Sequence, residues 1–268
     1  MRRSRIVGFL TSVILAAGAA LTGAATAQAS TTAATGGYVA LGDSYSSGVG
    51  AGSYLSSSGD CKRSTKAYPY LWAAANSPSS FDFTACSGAR TGDVLAGQLG
   101  PLSSSTGLVS ISIGGNDAGF ADVMTTCVLQ SESSCLSRVA TARTYVESTL
   151  PGNLDGVYSA IRSKAPNARV VVIGYPRFYK LGTTCVGLSE TKRKAINDAS
   201  DLLNTTIAKR AAGYGFTFGD VRGPFTGHEI CSSSSWLHSV NWLNIGESYH
   251  PTASGQSGGY LPTLNSAA

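Results

Sequence analysis

Five short apolar runs recur along the chain, and longer stretches with helical patterning separate them. The predicted strands are Tyr38–Leu41, Phe81–Thr84, Leu108–Ile113, Arg169–Gly174 and Phe216–Asp220. The third and fourth runs are rich in β-branched residues and largely apolar, which is typical of strands buried on both faces. The predicted helices are Ala67–Asn76, Thr91–Leu99, Ser137–Ala165 (interrupted by Pro151) and Ser189–Tyr214. This alternation predicts an α/β fold with a parallel sheet covered on both sides.

The first residues have the organisation of a secretory signal peptide. The basic stretch Arg2-Arg3-Ser4-Arg5 precedes an apolar run from Ile6 to about Leu21, and Ala27-Gln28-Ala29 forms an A-x-A-type cleavage site. The apolar run is too short for a membrane anchor, and no later segment resembles a stop-transfer sequence. We therefore predict a signal peptide over residues 1–29, a single domain over residues 30–268, and a secreted, extracellular protein.

The charge of the chain argues against a nucleic acid as partner. The formal charge is +5, but three arginines lie in the predicted signal peptide, which leaves the mature chain near +2. No lysine and arginine cluster with interleaved aromatic residues occurs, although such a cluster is typical of nucleic-acid binding. Only 13% of the residues are charged, which fits a secreted protein.

The chain contains an even number of cysteines, which are Cys61, Cys86, Cys127, Cys135, Cys185 and Cys231. In an exported chain, six cysteines predict three disulfides. The spacing alone leaves the connectivity open, although pairing neighbours in order closes the shortest loops. A metal site is the weaker interpretation, because no C-x-x-C pair occurs and the three histidines are scattered.

Three polar motifs each follow a predicted strand within a few residues. Gly42-Asp43-Ser44 follows the first strand, Cys86-Ser87-Gly88-Ala89 the second, and Gly114-Gly115-Asn116-Asp117 the third. Ligands of such sheets bind at the carboxyl ends of the strands. We therefore expect the three motifs to lie together at one edge of the sheet.

The residues of these motifs supply a nucleophile and donors for an oxyanion. Gly42 permits a sharp turn, so that Ser44 can lie at a helix N-terminus with its backbone N–H free. The Asn116 side chain and the backbone N–H groups of Ser44 and Gly88 can donate to a developing oxyanion. An ordinary N-cap serine and an ordinary Asx turn are the alternatives for Ser44 and Asn116.

His250 is the candidate general base. It precedes Pro251, whose fixed φ angle can hold the histidine on a defined turn. His228 and His238 have no motif around them, and we interpret them as surface or structural residues. Ser189 begins an S-x-x-K pattern without the companion motifs of penicillin-binding enzymes, so we interpret it as a helix cap.

In the order Ser44, Gly88, Asn116 and His250, these motifs resemble the SGNH, or GDSL-type, hydrolase superfamily. The run Gly-Asp-Ser-Tyr-Ser-Ser-Gly and the six cysteines are particularly similar to its secreted bacterial lipase and phospholipase A branch. The resemblance implies a three-layer α/β/α sandwich with about five parallel strands, and ester hydrolysis without a cofactor or metal. It also implies the disulfides Cys61–Cys86, Cys127–Cys135 and Cys185–Cys231.

The sequence departs from the family pattern just before His250. The family usually has an aspartate three residues before the histidine, whereas this chain has Glu247. In some members of the branch a main-chain carbonyl orients the histidine instead. Two arrangements therefore stay open: Glu247 as third member of a triad, or the main-chain carbonyl of Glu247 or Ser248 as acceptor, which we favour.

The sequence thus predicts a secreted serine carboxylic-ester hydrolase that acts on acyl lipids as a lipase, esterase or phospholipase A. We expect a monomer whose partners are a lipid or other ester substrate, with transient contact to a lipid interface. A carbohydrate O-acetyl esterase and a non-catalytic secreted binding module are the alternatives. The candidates for an apolar acyl groove, with the core as alternative, are Phe120, Pro176, Phe178, Tyr179 and Leu181.

Overall fold

The structure, a computed structural model, describes Met1 and residues 36–268. Apart from Met1, the predicted signal peptide over residues 1–29 lies outside the described residues. Among the helices of the described part, none is both long and apolar enough to span a bilayer.

A parallel sheet of five strands forms the centre of the fold, in the order β2-β1-β3-β4-β5. The strands are β1 (Gly37–Gly42), β2 (Phe81–Phe83), β3 (Thr106–Ser112), β4 (Arg169–Ile173) and β5 (Thr217–Gly219). The five strand predictions and the α/β class are confirmed. The inner strands β1, β3 and β4 are almost fully buried, as their apolar and β-branched composition predicts.

Helices cover both faces of this sheet. The helices are α1 (Ser44–Ser47), α2 (Tyr68–Asn76), α3 (Thr91–Asp93), α4 (Phe120–Leu129), α5 (Glu132–Ser148), α6 (Leu150–Lys164), α7 (Glu190–Gly213), α8 (Ala253–Gly255) and α9 (Leu261–Ala267). One layer contains α6, α7 and the α3 segment, and the other contains α2 and α9. The strand order reverses between β1 and β3, which is where such folds open a crevice for ligands.

The helix predictions needed correction in three places. The predicted interruption of Ser137–Ala165 at Pro151 is confirmed, because Pro151 lies in the first turn of the new helix α6, but α5 begins earlier than predicted, at Glu132. The predicted helix Thr91–Leu99 is the short α3 followed by the π-helical turn Val94–Gln98. The helices α4 and α9 were not predicted, since their sequences are short and rich in threonine, serine and small residues.

The cysteines pair in chain order. Cys61 is bonded to Cys86, Cys127 to Cys135 and Cys185 to Cys231, which is the connectivity that the resemblance implies. The second pair joins α4 to α5, and the first joins the segment before α2 to the loop after β2. The first pair therefore anchors one of the loops that reach the edge of the sheet where the polar motifs lie.

Candidate active site

Ser44 is the first residue of α1 and comes directly after the end of β1. Gly42 has a φ angle of +120°, and a Cβ atom there would collide with the carbonyl oxygen of Ser112, so the turn requires glycine. The Asp43 carboxylate caps α1 by accepting from the Tyr45 N–H at 3.0 Å. Ser44 is only 6% exposed, and no acceptor among the described residues is paired with its backbone N–H.

The buried Asp43 carboxylate links the ends of three strands. Its Oδ1 accepts from the Ser112 hydroxyl at 2.9 Å, and its Oδ2 accepts from the Tyr175 hydroxyl at 2.5 Å. The Tyr175 oxygen in turn accepts from the Gly115 N–H at 3.2 Å. Burial raises the pKa of Asp43 to about 6. The sequence analysis did not predict this network, although Asp43 is a residue of the first motif.

His250 meets Ser44 across the edge of the sheet. The distance from its Nε2 to the Ser44 Oγ is 2.8 Å, and its Nδ1 lies 3.0 Å from the carbonyl oxygen of Ser248. Because a carbonyl can only accept, Nδ1 carries the proton and Nε2 is left as the acceptor for the serine hydroxyl. The geometry is that of a serine nucleophile paired with its base.

Main-chain contacts hold the His250 ring in place. Tyr249 adopts a left-handed conformation with φ +67°, and its carbonyl accepts from the Tyr45 hydroxyl at 2.7 Å. The His250 carbonyl accepts from the His238 N–H at 3.0 Å. The Tyr45 ring also lies against the imidazole, with the ring centroids 5.2 Å apart. The histidine is thus positioned by α1 and by the segment around His238.

The Glu247 carboxylate is directed away from this pair. Its Oε1 accepts from the Tyr54 hydroxyl at 2.8 Å, and the Tyr54 oxygen accepts from the Gly50 N–H at 2.9 Å. The main-chain carbonyl of Glu247 accepts from the backbone N–H of His250 at 3.2 Å. Of the arrangements left open by the sequence, the structure contains the one with the Ser248 carbonyl.

The loops after β2 and β3 are tied together beside Ser44. One amide hydrogen of Asn116 is donated to the Ala89 carbonyl at 3.0 Å, which leaves its second N–H available. The Asp117 carboxylate accepts from the Thr91 N–H at 3.1 Å and from the Thr91 hydroxyl at 2.5 Å. Gly88 has φ +79°, and in the described part of the chain its N–H has no acceptor.

Two spaces open from this edge of the sheet. The first, the inner pocket, extends from Ser44 and Asn116 between α4, α5 and α7. Most of its wall away from Ser44 is apolar. The main apolar residues of that wall are Phe120, Val123, Met124, Val146, Phe178, Ile196, Ala199 and Leu203. The second, the outer groove, is lined by Ser44, Gly88, Asn116 and His250 together.

Residues 40–257 match the family described as GDSL-like Lipase/Acylhydrolase, which is more than half of the chain. The chain belongs to this family. Over its full length it is also 84% identical to Lipase 1 of Streptomyces coelicolor, all of which is covered.

Two solved structures place this GDSL-like acylhydrolase among proteins of the same fold. Phospholipase A1 from Streptomyces albidoflavus is 72% identical, with a TM-score of 0.87 over 88% of this chain and 100% of that one. The extracellular lipase from Streptomyces rimosus is 68% identical, with a TM-score of 0.85 over 87% of this chain and 100% of that one. The sheet of five parallel strands and its helical layers match this fold.

The candidates for an apolar acyl groove are only partly confirmed in this acylhydrolase. Of the five proposed groove residues, Phe120 and Phe178 line the inner pocket, whereas Pro176 and Tyr179 are buried elsewhere and Leu181 is 37% exposed. Which side of a loop faces the pocket depends on tertiary packing, and the sequence did not contain that information.

The remaining histidines and Ser189 have structural contacts. His228 stacks on Trp236 at 3.6 Å, and the His238 Nε2 lies 2.8 Å from the Gly50 carbonyl. Ser189 caps α7 by accepting from the Lys192 N–H at 3.3 Å. Within residues 36–268, no group of three or more histidine, cysteine or acidic side chains is arranged to hold a metal ion.

Proposed function

We propose that this acylhydrolase is a secreted serine carboxylic-ester hydrolase that cleaves acyl esters of lipids, with lipase, esterase and phospholipase A activity. The observation that carries the proposal is the 2.8 Å contact between Ser44 Oγ and His250 Nε2 at the mouth of an apolar pocket. Its relatives, named lipase and phospholipase A1, support this substrate class. The signal-peptide pattern, the disulfides and the relative named extracellular lipase support secretion.

In the first half of the proposed reaction, the Ser44 Oγ attacks the carbonyl carbon of the ester. His250 Nε2 takes the serine proton as the new C–O bond forms. The tetrahedral intermediate then collapses, and His250 gives this proton to the departing alcohol. The Ser248 carbonyl, 3.0 Å from Nδ1, holds the tautomer that makes this transfer possible and stabilises the imidazolium.

The second half returns the enzyme to its starting state. A water molecule gives a proton to His250 Nε2 and attacks the acyl-enzyme carbonyl, and the proton then returns to Ser44 as the acid leaves. In both halves the oxyanion accepts from the backbone N–H groups of Ser44 and Gly88 and from the side chain of Asn116. These donors are fixed before the substrate arrives, because the loops that carry them are tied together.

The apolar wall of the inner pocket favours an acyl chain over an acetyl group. This preference separates the proposed function from that of a carbohydrate O-acetyl esterase. We expect kcat/KM to rise from p-nitrophenyl acetate towards esters of longer acyl chains, and a diacyl phosphatidylcholine to be hydrolysed. Activity on acetate alone would overturn the lipid assignment, and no activity on any ester would overturn the proposed enzyme class.

The length of the accepted acyl chain should depend on Ala199, which lines the inner pocket from α7. Ala199→Phe fills space that a long chain needs, so we expect the ratio of kcat/KM for palmitate to that for butyrate to fall at least about tenfold. Ala199→Ser, which has a similar volume, is the matched control and should leave the ratio nearly unchanged. Equal ratios for both variants would show that the acyl chain binds elsewhere.

The pH dependence should reflect the burial of His250, which lowers its pKa to about 4. Only the neutral ring can accept the serine proton, so kcat/KM should be maintained at mildly acidic pH and lost as the pH falls through about 4. A histidine with the ordinary pKa of 6.5 would instead lose activity as the pH falls through about 6.5. The profile is measured on a soluble ester, with tryptophan fluorescence recorded in parallel to separate acid unfolding. A fall of kcat/KM near pH 6.5 in protein that is still folded would contradict the prediction.

The disulfide Cys61–Cys86 should support activity as well as stability. The Cys86 N–H donates to the Gly42 carbonyl at 2.9 Å, and Cys86 precedes Gly88 by two residues. Replacing both cysteines by serine should destabilise the fold by about 2–4 kcal/mol and should also lower kcat. The matched control replaces Cys127 and Cys135, whose loss should lower Tm with less effect on kcat. Equal kcat losses in the two variants, or six free thiols in the secreted protein, would refute this role.

A further inference from the structure

Large apolar side chains are exposed beside the outer groove. On the loop 240–246, Trp242 is 69% exposed, Leu243 is 101% exposed and Ile245 is 63% exposed. Across the groove, at the end of α4, Leu129 is 65% exposed. Trp242, Ile245 and Leu129 line the groove that contains Ser44 and His250, whereas Leu243 is not among its lining residues. An exposed apolar patch of this kind typically marks an interaction site.

The loop 240–246 is held in this exposed arrangement by its own hydrogen bonds. The Asn241 side chain accepts from the N–H groups of Leu243 and Asn244, each at 3.2 Å. The Asn241 N–H donates to the Ser248 hydroxyl at 2.8 Å. A 3₁₀ turn over Ile245–Glu247 then leads into the segment that carries the imidazole. The patch is therefore built into the structure that positions His250.

The charge around the patch indicates the kind of partner. Between Glu229 and Glu247 the chain has no aspartate, glutamate, lysine or arginine, and neither does the segment 123–131 of α4 and its end. At the edge of the loop, the Lys62 Nζ would lie 3.5 Å from a Cβ atom at Gly246. Charges of both signs flank these uncharged segments, with Asp122, Glu132 and Glu247 at their ends and Lys62 beside the loop. An apolar surface of this kind suits a zwitterionic phospholipid surface better than an acidic or basic soluble partner.

We propose that Trp242, Leu243, Ile245 and Leu129 form a lipid docking surface that enters the edge of a zwitterionic phospholipid layer. The partner class rests on the proposed function. Docking by these residues turns the outer groove towards the lipid, so that an ester can reach Ser44 without crossing water. Trp242 suits the boundary between the lipid layer and water, because its ring combines a large apolar face with a polar N–H.

The first test measures binding separately from chemistry. In a Ser44→Ala background, we measure partition onto vesicles of diether phosphatidylcholine, which has no ester to hydrolyse. Leu243→Ser with Ile245→Ser should lower the partition coefficient at least about tenfold. The control is Leu95→Ser. Leu95 is an apolar residue that is 44% exposed in the turn after α3, and its replacement should change the partition coefficient less than twofold. If the double variant does not fold, Leu243→Ser alone replaces it in this measurement, because Leu243 is not part of the groove wall.

The second test locates Trp242 in the bound state. Brominated phosphatidylcholine should quench the fluorescence of the Ser44→Ala protein, and Trp242→Phe should remove most of this quenching. Of the other two tryptophans, Trp72 is only 6% exposed, and Trp236 is partly buried, stacked on the His228 ring and outside the lining of the groove. Binding should persist when sodium chloride is raised from low to high concentration, because the surface is uncharged. Binding that needs anionic lipid and disappears in salt would overturn the proposal.

The outcomes also separate this proposal from the proposed function. If the wild-type protein hydrolyses soluble p-nitrophenyl butyrate but the docking variants bind vesicles like their parent, only the docking surface is refuted. If vesicles bind as expected but no ester is hydrolysed, only the proposed function is refuted. A dimer that Leu243→Ser converts to a monomer, without any vesicle binding, would make the patch a contact between copies of this chain and would overturn the lipid assignment.

Discussion

Replacing Ser44 or His250 by alanine should lower kcat on a soluble ester at least about 10⁴-fold, whereas Glu247→Gln should keep it within about tenfold of wild type. The difference follows from the hydrogen bonds at the site. His250 contacts the Ser44 hydroxyl and the Ser248 carbonyl, while the Glu247 carboxylate accepts from Tyr54. Stopped assays on p-nitrophenyl butyrate, with circular dichroism as a check of folding, measure the three variants side by side.

Tyr54→Phe provides the matched control for Glu247. It removes the hydroxyl that Glu247 binds at 2.8 Å without touching His250. If Glu247 acts only by holding the loop that contains Gly50 and Tyr54, then Glu247→Gln, Tyr54→Phe and the double variant should all keep kcat within about tenfold of wild type, because none of them removes a contact of the His250 ring. A loss near 10⁴-fold for Glu247→Gln alone would instead make Glu247 the third member of a triad.

Asn116→Ala should lower kcat by roughly 10²–10³-fold with little change in KM, as is typical when one oxyanion donor is removed. Asn116 lines the groove that also contains Ser44 and Gly88, and one of its two amide hydrogens is not used by the Ala89 carbonyl. The donor acts on charge that develops only in the transition state, so the effect falls on kcat. Pre-steady-state and steady-state kinetics on a soluble ester give both constants.

A control is needed because Asn116 also binds the Ala89 carbonyl at 3.0 Å. Thr91→Val removes another hydrogen bond between the same two loops, the one from the Thr91 hydroxyl to Asp117, but keeps the proposed oxyanion donors. We expect this variant to lose less than about tenfold in kcat. A loss below about threefold for Asn116→Ala, or equal losses in both variants, would reduce Asn116 to a turn residue.

The sheet could be predicted because its strands are recognisable from local composition. The runs around β3 and β4 are apolar and β-branched, and strands covered on both faces need such residues. The helix α4 could not be predicted in the same way. Its sequence Phe120–Leu129 includes two threonines and two valines, whose helix propensity is modest, and its stability comes from packing on α5 and the disulfide Cys127–Cys135.

The site could be predicted in part for a related reason. Ser44, Gly88 and Asn116 follow strands whose carboxyl ends must meet, so topology alone brings them together. The acceptor of the His250 ring could not be decided, because the carboxylate at position 247 and the carbonyl at position 248 both lie within three residues of the histidine. The Asp43–Tyr175 contact joins residues 132 positions apart, and no local pattern indicates it.

A long-chain alkyl fluorophosphonate gives the sharpest test of Ser44 as the nucleophile in an apolar acyl site. At neutral pH we expect one adduct per chain, found by peptide mapping on Ser44, with ester hydrolysis lost in proportion to labelling. Ser44→Ala should take up no label, and His250→Ala should be labelled at least about a hundredfold more slowly. An adduct at another residue, or full hydrolysis in protein that is completely labelled, would contradict the proposed mechanism.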